Sequence, residues 1–252
     1  MNAAHFATGR NIMCQSSPAV DYADPRINIL VLDNDHAHAR KIVDLLSMCR
    51  LFSIARTDSV AEAAHLLGQQ NVHVCICELL ADKGMSTYSL LERYSSHTGF
   101  IVVTSSSSSC TGYLCCRKGA QALFEKPLEK YRKSFVNALA GISLRSIFGL
   151  FNSPNTMPML LTALEYLFER QPTRVSDWAN GIRVSDVYLR KMLERARQES
   201  PRRILGLVQR CRKEFAACWG APPGGSMPGL LEAFIISAEN HRSFPLPHRK
   251  VA

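Results

Sequence analysis

The sequence predicts an α/β unit, a doubly wound parallel sheet, followed by an all-α unit. Three observations lead there. Up to about residue 147, short apolar runs alternate with stretches of helical periodicity. Each run is nearly apolar throughout, which suits strands covered on both faces, and ends in a polar residue. Beyond residue 158 the periodicity is helical only, so the chain changes class at one place.

Ile27 to Leu32 is the first run and ends at Asp33. Arg40 to Met48 then places Ile42, Val43, Leu45 and Leu46 at helical spacing, and Ser59 to Leu67 does the same with Val60, Ala63, Ala64 and Leu67. Val72 to Cys77 is a further strand ending at Glu78. Phe100 to Val103 is another, ending at Thr104, and Ala122 to Phe124 is the last, followed by Lys126-Pro127 and a helix to about Ser146. In a doubly wound sheet the functional crevice lies at the carboxyl ends of the strands, where Asp33, Glu78, Thr104 and Lys126 all fall.

The helical half opens with an apolar stripe of Leu160, Leu161, Leu164, Leu167 and Phe168. Val175-Ser176 offers a helix start with Ser176 as cap, and Ala179 is the small residue needed where two helices pack closely. A turn is expected at Gly181 to Val184, with Ser185 capping the next helix. There Leu189 and Leu193 face inward at i, i+4, which leaves Asp186, Val187, Tyr188, Arg190, Lys191, Glu194 and Arg195 outward. Ser200-Pro201 starts a further helix with Pro in its first turn, and Ile204, Val208, Cys211 and Phe215 form its inward stripe.

These readings divide the 252 residues into a mobile polar leader (1–26), the sheet-bearing unit (27–147), a linker (148–157) containing FNSPNT, a helix-turn-helix unit (158–218) and a tail (219–252) that begins with GAPPGGSMPG. The net charge of +9 is unevenly spread. Residues 1–150 carry 15 basic and 12 acidic side chains; between Arg183 and Lys213 there are ten basic and three acidic ones. Such a segment suits a polyanionic partner.

Nine scattered cysteines, with no zinc-type spacing and an odd count, read as free thiols in a reducing compartment, and the adjacent Cys115 and Cys116 as two packed small residues. Tyr94 to Cys116 is uncharged for long enough to span a bilayer, but its many hydroxyls make it a buried strand followed by a polar loop. The N-terminus has no apolar core of signal-peptide length, so a cytoplasmic protein without membrane attachment is expected. No nucleophile–base pair, phosphate-cradling glycine loop or metal cluster emerges, so an enzyme is not expected.

From Arg26 to Leu139 the chain resembles the receiver domain of response regulators, which implies a five-stranded, flavodoxin-like parallel sheet. The resemblance rests on LDND after the first strand, an acid ending the third, Thr after the fourth, and GAQALFEKP at the fifth, where Gly119-Ala120 and Lys126-Pro127 stand in the family's places. It implies two acids that hold Mg²⁺, an Asp that accepts a phosphoryl group, and Thr and Lys on the phosphoryl oxygens. The pocket is then Asp33, Asn34, Asp35, Glu78, Thr104 and Lys126.

Two of these depart from the pattern. Asn34 replaces the second metal-binding acid and so removes a charge that Mg²⁺ binding uses. Glu78 replaces the acceptor Asp; one methylene longer, it overshoots in-line transfer and falls close enough to Lys126 to form an ion pair. Leu123 stands where the family has an aromatic switch residue. The expectation is a pseudo-receiver that does not use aspartyl phosphate and needs no cofactor, with Asp33 a weak Mg²⁺ ligand at most and Asp35 the substitute for Asn34. The serine run 105–109 falls where the family's fourth helix starts, and predicts a short or frayed helix.

The segment Arg174 to Arg212 is similar to the first helix-turn-helix of AraC/XylS-type transcription regulators, through VSDVYLRKML and SPRRIL. Arg183 stands where the turn usually has Gly. The family's second motif has only an echo in Ala233, Phe244 and Arg249-Lys250, and Pro245 and Pro247 would break its recognition helix. The resemblance implies that helix 186–196, capped by Ser185, enters a major groove. Arg190, Lys191 or Tyr188 would then reach base edges, with Arg195, Arg202 and Arg203 among the cations on phosphates. The function expected is a DNA-binding transcription regulator, a homodimer acting on double-stranded DNA and RNA polymerase. An RNA-binding antiterminator and an interaction adaptor with a decayed DNA-binding unit stay open beside it.

Overall fold

The computed structural model describes residues 26–69, 72–81, 85–105, 108–148, 158–195 and 200–219. The leader up to residue 25, the linker sequence FNSPNT, the GAPPGGSMPG break and the second-motif positions Ala233, Phe244, Pro245, Pro247, Arg249 and Lys250 lie outside the described residues.

Five parallel strands form the sheet: β1 (Ile27–Leu32), β2 (Phe52–Thr57), β3 (Val74–Cys77), β6 (Gly99–Thr104) and β7 (Ala122–Glu125). Their order, β2-β1-β3-β6-β7, is the flavodoxin-like doubly wound order. Register places Ile29 beside Val74, Val74 beside Gly99 and Ile101 beside Ala122. Strand side chains alternate between faces, and here both faces are covered. Ile27, Ile29 and Val31 of β1 pack with α1 (His36–Ser47) and α5 (Arg132–Ile147). Leu30 and Leu32 pack on the other side, with α2 (Val60–Gln69), α3 (Tyr88–Tyr94) and α4 (Ser109–Arg117). That double burial is why these strands read as continuous apolar runs.

The residue pattern does not single out β2. It lies at the sheet edge, where Ser53 and Arg56 are exposed, so FSIART lacks the apolar signature of a central strand. A small antiparallel hairpin, β4 (Leu80–Ala81) and β5 (Met85–Ser86), within the β3–α3 connection is likewise absent from the sequence reading. The helix expected to be short or frayed is short, and one serine of the run starts it. Ser108 caps α4, its Oγ accepting from the Thr111 N–H at 3.0 Å, and nine helical residues follow. Among the described residues no helix is long and apolar enough to cross a membrane, and the stretch from Tyr94 to Cys116 holds strand β6 and most of α4.

The helical half comprises α6 (Pro158–Arg170), α7 (Val175–Gly181), α8 (Asp186–Arg195) and α9 (Pro201–Trp219). Trp178 is fully buried at its centre and donates its indole N–H to the Ala163 carbonyl at 2.7 Å. Leu160, Leu164, Leu167 and Phe168 of the expected α6 stripe are buried, as are Ile204, Val208, Cys211 and Phe215 of α9. One cap is corrected: α7 begins after Arg174, and Ser176 is an exposed residue inside the helix. Asp177 does the capping work instead, its carboxylate accepting from the Arg174 N–H and the Thr173 hydroxyl, both at 3.2 Å. The two halves share one continuous core. Phe148 meets Phe168 at 5.7 Å between centroids, and Phe52 of β2 meets Phe215 and Trp219 of α9, each at 5.7 Å.

Candidate functional site: a closed acidic pocket and an exposed cationic helix

The ends of β1, β3 and β7 bring three charged side chains to one point. Asp33 and Glu78 are 2% and 4% exposed, carboxylates almost wholly removed from water. Such burial is unfavourable unless each charge is paired and hydrogen-bonded. Lys126 meets that need. Its Nζ lies 3.0 and 2.9 Å from the two Asp33 oxygens and 2.8 Å from Glu78 Oε2. Asp33 Oδ1 also accepts the Asp35 N–H at 2.9 Å, and Glu78 Oε1 accepts the Leu79 N–H at 2.7 Å. Thr104 is buried at the end of β6, where its carbonyl accepts the Lys126 N–H at 2.9 Å and so sets the height of the lysine.

A fourth participant is His38, which sequence reasoning missed. Its Nδ1 lies 2.6 Å from Asp33 Oδ2, and the ring is 7% exposed. Facing a carboxylate oxygen, Nδ1 carries the proton and donates. Nε2 is buried with no hydrogen-bond partner among the described residues. The signal was present: His38, Ile42 and Leu46 share one buried stripe of α1 at i, i+4, i+8, but the stripe read from Arg40 onward started too late.

Burial pushes the Asp33 carboxyl up, but the hydrogen bonds from His38, Lys126 and the Asp35 N–H outweigh it, and the net direction is below the ordinary value. For Lys126, burial works downward, and the bonds to Glu78 and Asp33 reverse it to a net rise. Both groups are thus held in their charged forms. The other two pocket residues stand apart. Asn34 is solvent-exposed. Asp35, also exposed, turns its Oδ1 to the start of α1, accepting from the N–H groups of Ala37 at 3.0 Å and His38 at 3.1 Å. Those bonds lower its pKa, His38's N–H contributing most.

In the helical half, α7 and α8 meet at a tight turn. Gly181 packs there against the Tyr166 ring, which a Cβ at 2.0 Å would push aside. Arg183 takes the left-handed conformation, φ 60°, that Gly adopts freely; for a residue with a Cβ it costs roughly 1–2 kcal/mol. The turn expected of a Gly therefore forms around Arg. The Ser185 Oγ accepts the Tyr188 N–H at 3.1 Å, which caps α8. Leu189, Met192 and Leu193 are buried, while Tyr188, Arg190, Lys191 and Arg195 are exposed along the opposite face. Arg202 and Arg203 are exposed in the first turn of α9.

No protein-family model matches the chain, and no curated protein does. Solved structures similar to it are receiver domains. The signal receiver domain of a Luxo repressor protein from Vibrio parahaemolyticus is 18% identical, with a TM-score of 0.43 over 48% of this chain and 96% of that one. A response regulator from Chloroflexus aurantiacus is 20% identical, with a TM-score of 0.43 over 48% of this chain and 99% of that one. The HemR receiver domain from Leptospira biflexa is 16% identical, with a TM-score of 0.42 over 47% of this chain and 94% of that one.

Proposed function

We propose that the chain is a sequence-specific DNA-binding transcription regulator, with a receiver-like unit that works without aspartyl phosphate. The observation that carries the DNA-binding reading is α8. Its apolar side is fixed in the core by Leu189, Met192 and Leu193, and its opposite side presents Tyr188, Arg190, Lys191 and Arg195 to solvent. A capped helix with cations outward has the form that enters a major groove, and the exposed Arg202 and Arg203 on α9 are proposed to neutralise phosphates. A single motif of this kind has a small footprint, so the chain is proposed to act as a homodimer on paired half-sites, near RNA polymerase. Genomic footprinting is the test: protected duplex sites with a regular half-site spacing are expected, and protection of single-stranded RNA alone would overturn the reading.

The phosphate-independent reading is supported by the ion cluster. Lys126 occupies both oxygens of Asp33 and one of Glu78, so the acidic ligands that Mg²⁺ would use already hold a cation. With Asn34 neutral and Asp35 engaged at the α1 N-terminus, the donor set does not fit a divalent ion. Glu78 has one oxygen on Lys126 and the other on the Leu79 N–H, so neither is left free to take up a phosphoryl group. Incubation with acetyl phosphate and Mg²⁺ is therefore expected to leave the intact mass unchanged. A gain of one phosphoryl group on Glu78 or Asp33 would overturn this.

A further inference from the structure

We propose that Cys49 and Cys218 form an intramolecular disulfide under oxidation, a latch that fastens α9 to the C-terminal end of α1. The proposal does not rest on the DNA-binding reading. Cys49 directly follows the last turn of α1 and is 2% exposed. Cys218 comes to it from α9: its Sγ donates at 3.0 Å to the carbonyl of Met48, the residue bonded to Cys49, which sets the two thiols beside each other. The contact is clamped from both sides. Trp219 donates its indole N–H to the Leu45 carbonyl at 3.4 Å, and Phe215 and Trp219 stack on each other at 5.6 Å and on Phe52. Two thiols brought together on packed elements in this way can close to a bond of about 2.05 Å.

The remaining described thiols differ. Cys75 and Cys77 are fully buried on central strand β3, out of reach of an oxidant, and Cys115 and Cys211 are buried as well. Cys110 and Cys116 are exposed on α4. Among the described thiols, only the Cys49–Cys218 pair joins the two halves of the chain.

The chemistry needs a hydroperoxide as oxidant. The half-buried Cys218 meets it first: its sulfur takes one peroxide oxygen to become a sulfenic acid, and the peroxide leaves as an alcohol or water. The Cys49 sulfur then attacks the Cys218 sulfur. The S–S bond forms, the S–O bond breaks, and the hydroxyl leaves with the Cys49 proton as water. Two electrons pass from the thiol pair to the peroxide. Burial pushes the Cys49 thiol up to about 12, so it is the resolving partner rather than the first to react, and closure is slow at neutral pH.

The test uses the full chain in a Cys14→Ser, Cys110→Ser, Cys116→Ser background and, in parallel, the unaltered protein. Each is treated with hydrogen peroxide and mapped without reduction by mass spectrometry. A Cys49–Cys218 cross-linked peptide, reversed by dithiothreitol, is expected in both, with a loss of two free thiols per chain in the substituted background. Cys218→Ser is expected to abolish the cross-link and leave Cys49 reduced, and Cys49→Ser to leave Cys218 as a sulfenic acid that dimedone traps. Oxidation of Cys218 to sulfinic acid with Cys49 still free, or no oxidation of either thiol, would overturn the latch.

Discussion

Lys126→Met destabilises the fold by about 3–5 kcal/mol, the range for removing one partner of a buried ion pair. The Lys126 side chain is only 14% exposed and holds two carboxylates that are almost wholly buried, so its loss leaves like charges facing each other without water or a counter-ion. Methionine keeps most of the volume, which separates the electrostatic loss from a packing loss. Urea unfolding followed by circular dichroism at pH 7 measures it, and a loss below about 1 kcal/mol would place the cluster among ordinary surface pairs.

The effect also has a signature in pH. In the native protein the Asp33 pKa lies below its ordinary 3.8, so its stabilisation is complete above 3.8 and is lost as pH falls through the lower folded value. The Lys126 pKa lies above its ordinary 10.5, so its contribution is complete below 10.5 and is lost as pH rises through the higher folded value. Between those limits neither group makes stability depend on pH. In Lys126→Met the ammonium that lowers Asp33 is gone, and taking up a proton relieves the buried acid pair. The stability gap between the two proteins is therefore widest near neutrality and narrows as the medium becomes acid.

That cluster was largely legible in the sequence, because central strands of a parallel sheet announce themselves and their last residues point into one crevice. Asp33, Glu78 and Lys126 each follow an apolar run or end one, and the extra methylene of Glu78 alone suggested the ion pair that stands at 2.8 Å. What escaped was set by context that no local pattern records. Strand β2 escaped because an edge strand needs only half its residues apolar. His38 escaped because a buried polar residue interrupts the apolar stripe by which helices are recognised. The cap of α7 escaped because Asp177 serves from inside the helix, whereas Ser176 merely has the composition of a cap. The turn at Arg183 is the opposite case: the residue is wrong for the conformation, and the surrounding packing of Trp178, Ala179 and Gly181 imposes it at a cost.

The α8 face carries the largest functional effect. Arg190→Ala with Lys191→Ala is expected to weaken binding to a footprinted duplex by about 1–3 kcal/mol for each base edge no longer read, roughly ten- to a hundredfold or more in affinity. Both side chains are exposed, opposite Leu189, Met192 and Leu193, so folding stability is expected to move by no more than about 0.5 kcal/mol. This separates a recognition defect from a folding defect. Arg202→Ala with Arg203→Ala serves as the contrast. Cations that touch only phosphates weaken all sequences alike, and each one removed reduces the slope of log affinity against log salt by about 1. Discrimination between the footprinted site and a scrambled duplex should therefore collapse in the first pair and persist in the second. Discrimination retained in the Arg190, Lys191 pair would take both side chains off the base edges and leave that task on α8 to Tyr188. DNA binding left wholly unchanged would instead favour a protein-interaction adaptor, since cations that meet DNA anywhere on their length cannot be removed without weakening it.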